Sequence, residues 1–169
     1  MIRSVLRRQL DATERRLGGS MDYLRFATEA DPAAVIKFGL LQPATGHRRV
    51  LPREVFHAAR IAATQTADCG TCVQMEVNAA VSAGVAAESV RAMLAGDATE
   101  AEVQDAQVFA RATARHEDPG EDLRTRIVTR HGERGLVELA LAVTTALAYP
   151  TMKRALGFAT ACSRVTVTV

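Results

Sequence analysis

The chain has few aromatic residues and almost no net charge. Its 169 residues include five Phe, two Tyr and no Trp, and 21 basic residues against 19 acidic ones leave a formal charge of +2. A nucleic-acid partner is therefore not expected, because such proteins need a basic surface and aromatic platforms on which bases stack. The 48% of hydrophobic and 24% of charged residues are typical of an ordinary globular domain.

The sequence also lacks the marks of secretion and of membrane insertion. Three cysteines are too few for the disulfide framework of a small secreted protein. The N-terminal stretch has no continuous apolar run, and Asp11 and Glu14 interrupt the basic face that a transit peptide needs. The longest nearly apolar run, Leu139 to Tyr149, is about half a membrane span. We therefore expect a cytoplasmic protein with no membrane partner.

Alanine-rich stretches with apolar residues at helical spacing predict an all-α protein. The length suits one domain over residues 1–169, with N-terminal helices and a loop over 1–48 and a core over 49–160. The last predicted helix runs from Leu136 to about Leu156, and Pro150 predicts a kink or break within it.

Capping residues predict where three of the helices begin. Asp31 precedes a proline, Asp68 precedes the first cysteine of a pair, and Thr99 is followed three residues later by Glu102 as in a capping box. Each of these side chains is expected to accept a hydrogen bond from the backbone N–H groups of the helix that follows.

Two of the cysteines, Cys69 and Cys72, form a C-x-x-C motif at the start of a predicted helix. At positions i and i+3 their side chains share a helix face and can meet, and the unpaired N–H groups there stabilise a thiolate. Redox chemistry is the favoured interpretation. The alternatives are two small buried residues or, with His57 and Glu76, four ligands of a zinc ion.

His57 and Glu76 are the candidate partners of the thiols. A short turn at Asp68 should make two helices antiparallel and place His57 at the level of Cys72 and Glu76. A histidine there can accept the thiol proton and hold the thiolate as an ion pair. Glu76, four residues after Cys72, could orient that histidine and raise its pKa.

The chain resembles the carboxymuconolactone decarboxylase-like proteins, and among them the alkylhydroperoxidase D-like branch. That branch has Glu, eleven residues, C-x-x-C, three residues and His; here the corresponding positions are His57, Cys69, Cys72 and Glu76. The resemblance covers roughly residues 20–160. Shorter agreements with the family pattern are Leu51-Pro52, Ala83-Gly84, Glu88-Ser89-Val90, Phe109-Ala110 and Gly135-Leu136-Val137-Glu138. The acidic and basic positions are exchanged relative to the family, so a His–carboxylate relay is either retained with its members swapped or broken.

The resemblance implies a helical bundle that assembles as a homo-trimer or hexamer, with no cofactor and no bound metal. It also implies a peroxidase reaction: Cys72 attacks an alkyl hydroperoxide and becomes a sulfenic acid, and Cys69 resolves it as a disulfide. A dithiol such as a lipoyl protein then reduces that disulfide. The other interpretations are a non-catalytic or differently acting family member and a zinc-stabilised helical protein. Cys162 is expected to be a core or interface residue.

Overall fold

The predicted all-α class is confirmed. The structure is a computed structural model that describes residues 2–159 and 165–167, and helices joined by turns make up those residues, with no strand among them. In chain order the helices are α1 (Ile2–Leu17), α2 (Asp22–Ala30), α3 (Pro32–Gly39), α4 (Gln42–Thr45), α5 (Arg53–Thr66), α6 (Gly70–Ser82), α7 (Ala87–Ala95), α8 (Ala101–Ala114) and α9 (Glu121–Ala155).

Helix α5 is the centre of the molecule. Its alanines, with Val55 and Ile61, are almost completely buried, and it packs against α6, α7, α8 and α9. Small side chains over most of its length allow neighbouring helices to approach on several sides. Polar residues on α5, among them His57 and Arg60, are therefore buried too, where a polar atom without a hydrogen-bond partner is costly.

The N-terminal helices are attached through a second, smaller apolar cluster. Met21, Tyr23 and Leu24 pack with Leu10, and the cluster extends to side chains at the end of α9 and on α6. Helix α1 ends at Gly18, whose φ of +69° is left-handed, and Asn78 of α6 donates a 2.8 Å hydrogen bond to the Leu17 carbonyl. The end of α1 is thereby placed against α6, the helix that carries the C-x-x-C motif.

Helix α9 consists of two helical segments that meet at a kink, where Gly132 has a non-helical backbone with φ +70°. Of the kink or break predicted at Pro150, the break is wrong, because the helix continues through this residue to Ala155. By length and composition α9 could cross a membrane, but 44% of its most apolar stretch is buried inside the molecule. Packing of α9 against α5 and α8 accounts for the buried part of this stretch.

One of the three predicted caps is confirmed and two are wrong. Asp31 accepts hydrogen bonds from the N–H groups of Ala33 and Ala34, at 3.0 and 3.1 Å. Helix α8 is instead preceded by Glu100 without a side-chain cap, and α6 by Cys69 rather than Asp68. The displaced start of α6 matters most, since it puts Cys69 at the N-cap position rather than within the first turn.

Near the C-terminus, the described residues 165–167 lie along α6. The side-chain amide of Gln74 accepts from the Thr166 N–H and donates to the Thr166 carbonyl, both at 2.7 Å. A single glutamine thus satisfies both backbone groups of one extended residue. Cys162, expected in a core or interface, lies outside the described residues.

Candidate active site at the N-terminus of helix α6

Cys69 and Cys72 are joined by a disulfide at the beginning of α6. Cys69 is the N-cap residue and Cys72 is the third residue of the helix, with their Cα atoms 5.2 Å apart. That separation is within the normal range for disulfides. Both residues are buried, Cys69 with 1% and Cys72 with 8% of its surface exposed. The predicted meeting of the two sulfurs is therefore confirmed, although Cys69 precedes the helix instead of lying within its first turn.

The turn before the disulfide is held by α9. Only Ala67, Asp68 and Cys69 separate α5 from α6, and Asp68 has a left-handed φ of 49°. Aspartate tolerates this conformation better than most residues, which permits so short a reversal. The Arg154 guanidinium donates to the carbonyl oxygens of Ala67 and, at 3.4 Å, of Asp68. The backbone that carries Cys69 is thus tied to the far end of the chain.

Thr71, between the two cysteines, connects the disulfide to a buried lysine. Its Oγ1 lies 3.7 Å from the Cys69 Sγ and accepts a hydrogen bond from the Nζ of Lys153. Lys153 is 6% exposed and has no ion-pair partner in the described part of the chain. Burial lowers its pKa, an effect that the charge of Asp22 opposes. A cation therefore lies one hydroxyl away from the sulfur of Cys69.

Lys153 was missed in the sequence analysis, although the sequence contains a signal for it. On α9 the buried residues Leu139, Val143, Ala146 and Pro150 follow one another at spacings of four and three, and Lys153 is the next member of that series. A lysine that continues a buried helical stripe is unusual and is a reason to search for a polar partner.

His57 lies on α5 as predicted, in a less polar environment than a relay requires. It is 8% exposed, its Nδ1 has no hydrogen-bond partner in the described residues, and its ring contacts Phe56 edge-on at 5.2 Å between centroids. Burial lowers the pKa of His57 to about 4; the charge of Arg60 lowers it further, and that of Glu76 opposes the shift. At neutral pH His57 is uncharged, so it does not hold a thiolate as an ion pair.

Glu76 is bound by an arginine rather than by His57. Arg60 donates to both carboxylate oxygens, Nε to Oε2 at 2.8 Å and Nη2 to Oε1 at 2.7 Å. Its Nη1 donates to the Thr45 and Ala142 carbonyls and to the Thr145 hydroxyl. The expectation that Glu76 orients His57 and raises its pKa is therefore corrected: Glu76 acts on His57 by charge alone, and burial outweighs it.

Arg60 is the second residue missed by the sequence analysis. It follows His57 by three residues, so both side chains lie on the same face of α5 and Arg60 is equally placed to reach α6. A guanidinium matches a carboxylate with two parallel hydrogen bonds and keeps its charge when buried, which an imidazole does not. The Glu76 carboxylate is therefore bound by Arg60 and not by His57.

The four residues proposed as zinc ligands do not form a metal site. Cys69 and Cys72 are bonded to each other, Glu76 is paired with Arg60, and no group of three or more His, Cys, Asp or Glu residues able to hold a metal is present in residues 2–159 and 165–167. The donor set required for structural zinc is thus not assembled here.

A pocket lies beside Cys69. It has a volume of about 470 Å³ and is lined by residues of the α5–α6 turn, of α6 and of neighbouring segments: Gln65, Asp68, Cys69, Gly70, Val73, Leu94 and Val165. Asp68 carries the only charged side chain of this lining, so the space next to the disulfide is largely neutral. A small organic molecule of mixed polarity fits such a surface.

Comparison with protein-family models, with curated proteins and with solved structures finds no match to this chain.

Proposed function

We propose that the protein is a thiol–disulfide oxidoreductase that reduces hydroperoxides through Cys72 and Cys69. The observation that supports this is the Cys69–Cys72 disulfide at the N-terminus of α6, beside a pocket and a buried cation. Thiols at a helix N-terminus are stabilised as thiolates, and a second thiol within bonding distance protects a sulfenic acid from overoxidation. The likeness of the motif to the alkylhydroperoxidase D-like pattern supports peroxide as the oxidant.

In the proposed reaction the Cys72 thiolate attacks the terminal oxygen of the hydroperoxide. The O–O bond breaks, the sulfur gains oxygen as a sulfenic acid, and the alkoxide takes a proton and leaves as an alcohol. The Cys69 thiolate then attacks the Cys72 sulfur, and hydroxide leaves as water after protonation. An external dithiol restores both thiols by exchange and is itself oxidised to a disulfide.

His57 is the proposed base in this reaction, in a narrower role than a stable ion pair. His57 is neutral at pH 7 and its Nδ1 has no hydrogen-bond partner in the described residues, so this nitrogen is open to a proton. No hydrogen bond joins it to Cys72 there, and in the proposed role it takes the Cys72 proton only transiently and returns it to the alkoxide. The test is His57→Ala, with oxidation by hydroperoxide followed across pH. A variant that forms the disulfide as fast as the parent protein would exclude His57 from the reaction.

The first experiment is intact-mass analysis of the reduced protein after one equivalent of an alkyl hydroperoxide, with peptide mapping. Rapid loss of two hydrogens, mapped to Cys69 and Cys72 and absent in Cys72→Ser, is the expected result. If both thiols stay reduced for hours, or if only Cys162 is oxidised, the peroxidase function is wrong. Cys72→Ser also traps whatever oxidation Cys69 undergoes by itself and so serves as the matched control.

A structural disulfide is the second candidate, favoured by the burial of both cysteines, at 1% and 8% exposure. Such a bond would resist reduction and would contribute stability without turnover. The measured reduction potential separates the two: a value well below that of cellular dithiols identifies a structural bond. A value close to theirs identifies an exchangeable one.

Assembly as a trimer or hexamer is proposed as well. Several large apolar residues are exposed, above all Leu40 at 74% and Val137 at 66%. A subunit interface would remove this apolar surface from water. Light scattering on the purified chain gives the subunit number, and a monomeric mass at micromolar concentration would contradict the proposal.

A further inference from the structure

Two positively charged side chains of α9 reach the turn that carries the disulfide, and they make different contacts there. Arg154, which is exposed, donates to backbone carbonyls of the turn. Lys153, which is buried, donates to the hydroxyl of Thr71. A backbone carbonyl has no proton to donate to a thiol, whereas a hydroxyl that accepts one hydrogen bond still has its own proton to donate. The two residues are therefore a matched pair for asking what the buried cation does.

The direction of the hydrogen bonds follows from the chemistry of the groups. A lysine ammonium has three donors and no acceptor, so Thr71 must accept from Lys153. The hydroxyl proton of Thr71 is then free for the neighbouring Sγ of Cys69, 3.7 Å away. Cys69 makes no side-chain hydrogen bond to the N–H groups of α6, so the Thr71 hydroxyl is the polar group that this sulfur meets in the described structure.

We propose that Lys153 is a positioning residue that, acting through the Thr71 hydroxyl, stabilises the thiolate of Cys69. A donor that is itself hydrogen bonded to a cation is polarised and binds an anion more strongly. The arrangement is already in place in the disulfide form, so no reorganisation is needed when the thiolate appears. This inference rests on the proposed function, which gives a Cys69 thiolate its role.

The proposed thiolate has a use in both halves of the cycle. When a dithiol attacks the Cys72 sulfur, the S–S bond breaks and its electron pair goes to Cys69, which leaves as the stabilised anion. In the oxidative half, Cys69 as thiolate attacks the sulfenic acid on Cys72. A lower thiol pKa makes a better leaving group and raises the thiolate fraction at neutral pH.

Other charged groups near this site also act on Lys153 or on a thiolate at Cys69. Asp22, on α2, acts on Lys153 through its charge and is itself bound by Ser20 and Arg25. Asp68 precedes Cys69 and its negative charge opposes a thiolate, whereas Arg154 favours one. Since Arg154 has the same sign as Lys153 but no hydroxyl link to the sulfur, it separates a general field effect from the route through Thr71.

The test is the pKa of the Cys69 thiol, measured from the pH dependence of alkylation by iodoacetamide. The full chain carries Cys72→Ser and Cys162→Ser, so that Cys69 is its single thiol. Lys153→Met and Thr71→Val are each expected to raise this pKa by about one unit, whereas Thr71→Ser leaves it unchanged and Arg154→Met, which removes a charge without a hydroxyl link, raises it by much less. The double variant should raise it no more than either single change, because the two groups act in series.

An unchanged pKa in Lys153→Met would overturn the inference, and additive shifts in the double variant would overturn the route through Thr71. Thr71→Val replaces the hydroxyl by a methyl group and Thr71→Ser keeps the hydroxyl, so a folding defect in Lys153→Met still leaves a decisive pair. No peroxide is used, so a missing shift contradicts the role of Lys153 alone. If Lys153→Met raises the pKa of Cys69 as expected but hydroperoxide does not oxidise the reduced parent protein, only the proposed function is contradicted.

Discussion

Two buried cations, Arg60 and Lys153, lie against α6, and they differ in their hydrogen-bond and ion-pair partners. Arg60 is paired with the Glu76 carboxylate and three further oxygens, so its charge has a partner and each of its three side-chain nitrogens donates a hydrogen bond. Lys153 has one hydroxyl as a partner and no carboxylate within ion-pair distance in residues 2–159 and 165–167. A satisfied pair holds helices together, whereas a cation without a counter-ion is available to an anion formed beside it.

The largest effect should come from breaking the satisfied pair. Arg60→Met leaves the Glu76 carboxylate, about 13% exposed, without its partner, and we expect a loss of about 3–5 kcal/mol in the free energy of unfolding. Urea unfolding measures it. Replacing both residues together, as Arg60→Met with Glu76→Met, should restore much of the loss, and a double variant as unstable as the single one would contradict the argument.

A second effect concerns His57, which is buried without a charge partner of its own. Its pKa is about 4 in the folded protein and about 6.5 when unfolded, so the unfolded state binds more protons between these values. Stability should therefore fall as pH decreases from about 6.5 to 4, by up to about 3 kcal/mol. In His57→Leu this part of the pH dependence should disappear from urea unfolding curves; an unchanged slope would show that His57 is not its source.

The disulfide should have a moderate effect on stability. It closes a loop of only four residues, and the chain-entropy treatment gives about 2 kcal/mol for so short a loop. The reduced protein should thus unfold at lower urea concentration than the oxidised one, with Cys69→Ser insensitive to reductant. A much larger loss would favour the structural disulfide over the catalytic pair.

The smallest effect is expected for the cation without a counter-ion. Lys153→Met loses one hydrogen bond to Thr71 but also removes the burial of a charge, and these terms nearly cancel. We expect the free energy of unfolding to change by no more than about 1 kcal/mol, in contrast to Arg60→Met. A loss as large as that of Arg60 would show that Lys153 holds the fold together, as Arg60 does.

Much of the fold could be predicted because the signals are local. The helical class, the cap at Asp31 and the meeting of Cys69 with Cys72 each depend on residues within a few positions of one another. The prediction at Thr99 was also local and was wrong, because the choice of N-cap among neighbouring residues depends on how the chain enters the helix.

The partners of the buried charged groups could not be predicted from local sequence. Residues on the same face of α5 compete for one carboxylate, and Arg60 holds it while His57 is left with an unpartnered Nδ1. Desolvation decides which residue binds the carboxylate, because burial favours the neutral form of an imidazole whereas a guanidinium keeps its charge. Sequence spacing alone places both residues within reach and does not rank them.

Local sequence is enough to predict the helices and the closeness of the two cysteines, because helix geometry joins residues three and four apart regardless of the rest of the chain. The charges around the cysteines depend instead on the packing of distant helices. Lys153 meets Thr71 across 82 residues and Arg60 meets Ala142 across the same distance in sequence, through the packing of α9. Such contacts depend on how whole helices are arranged, and that arrangement minimises the cost of burying each charge over the entire core.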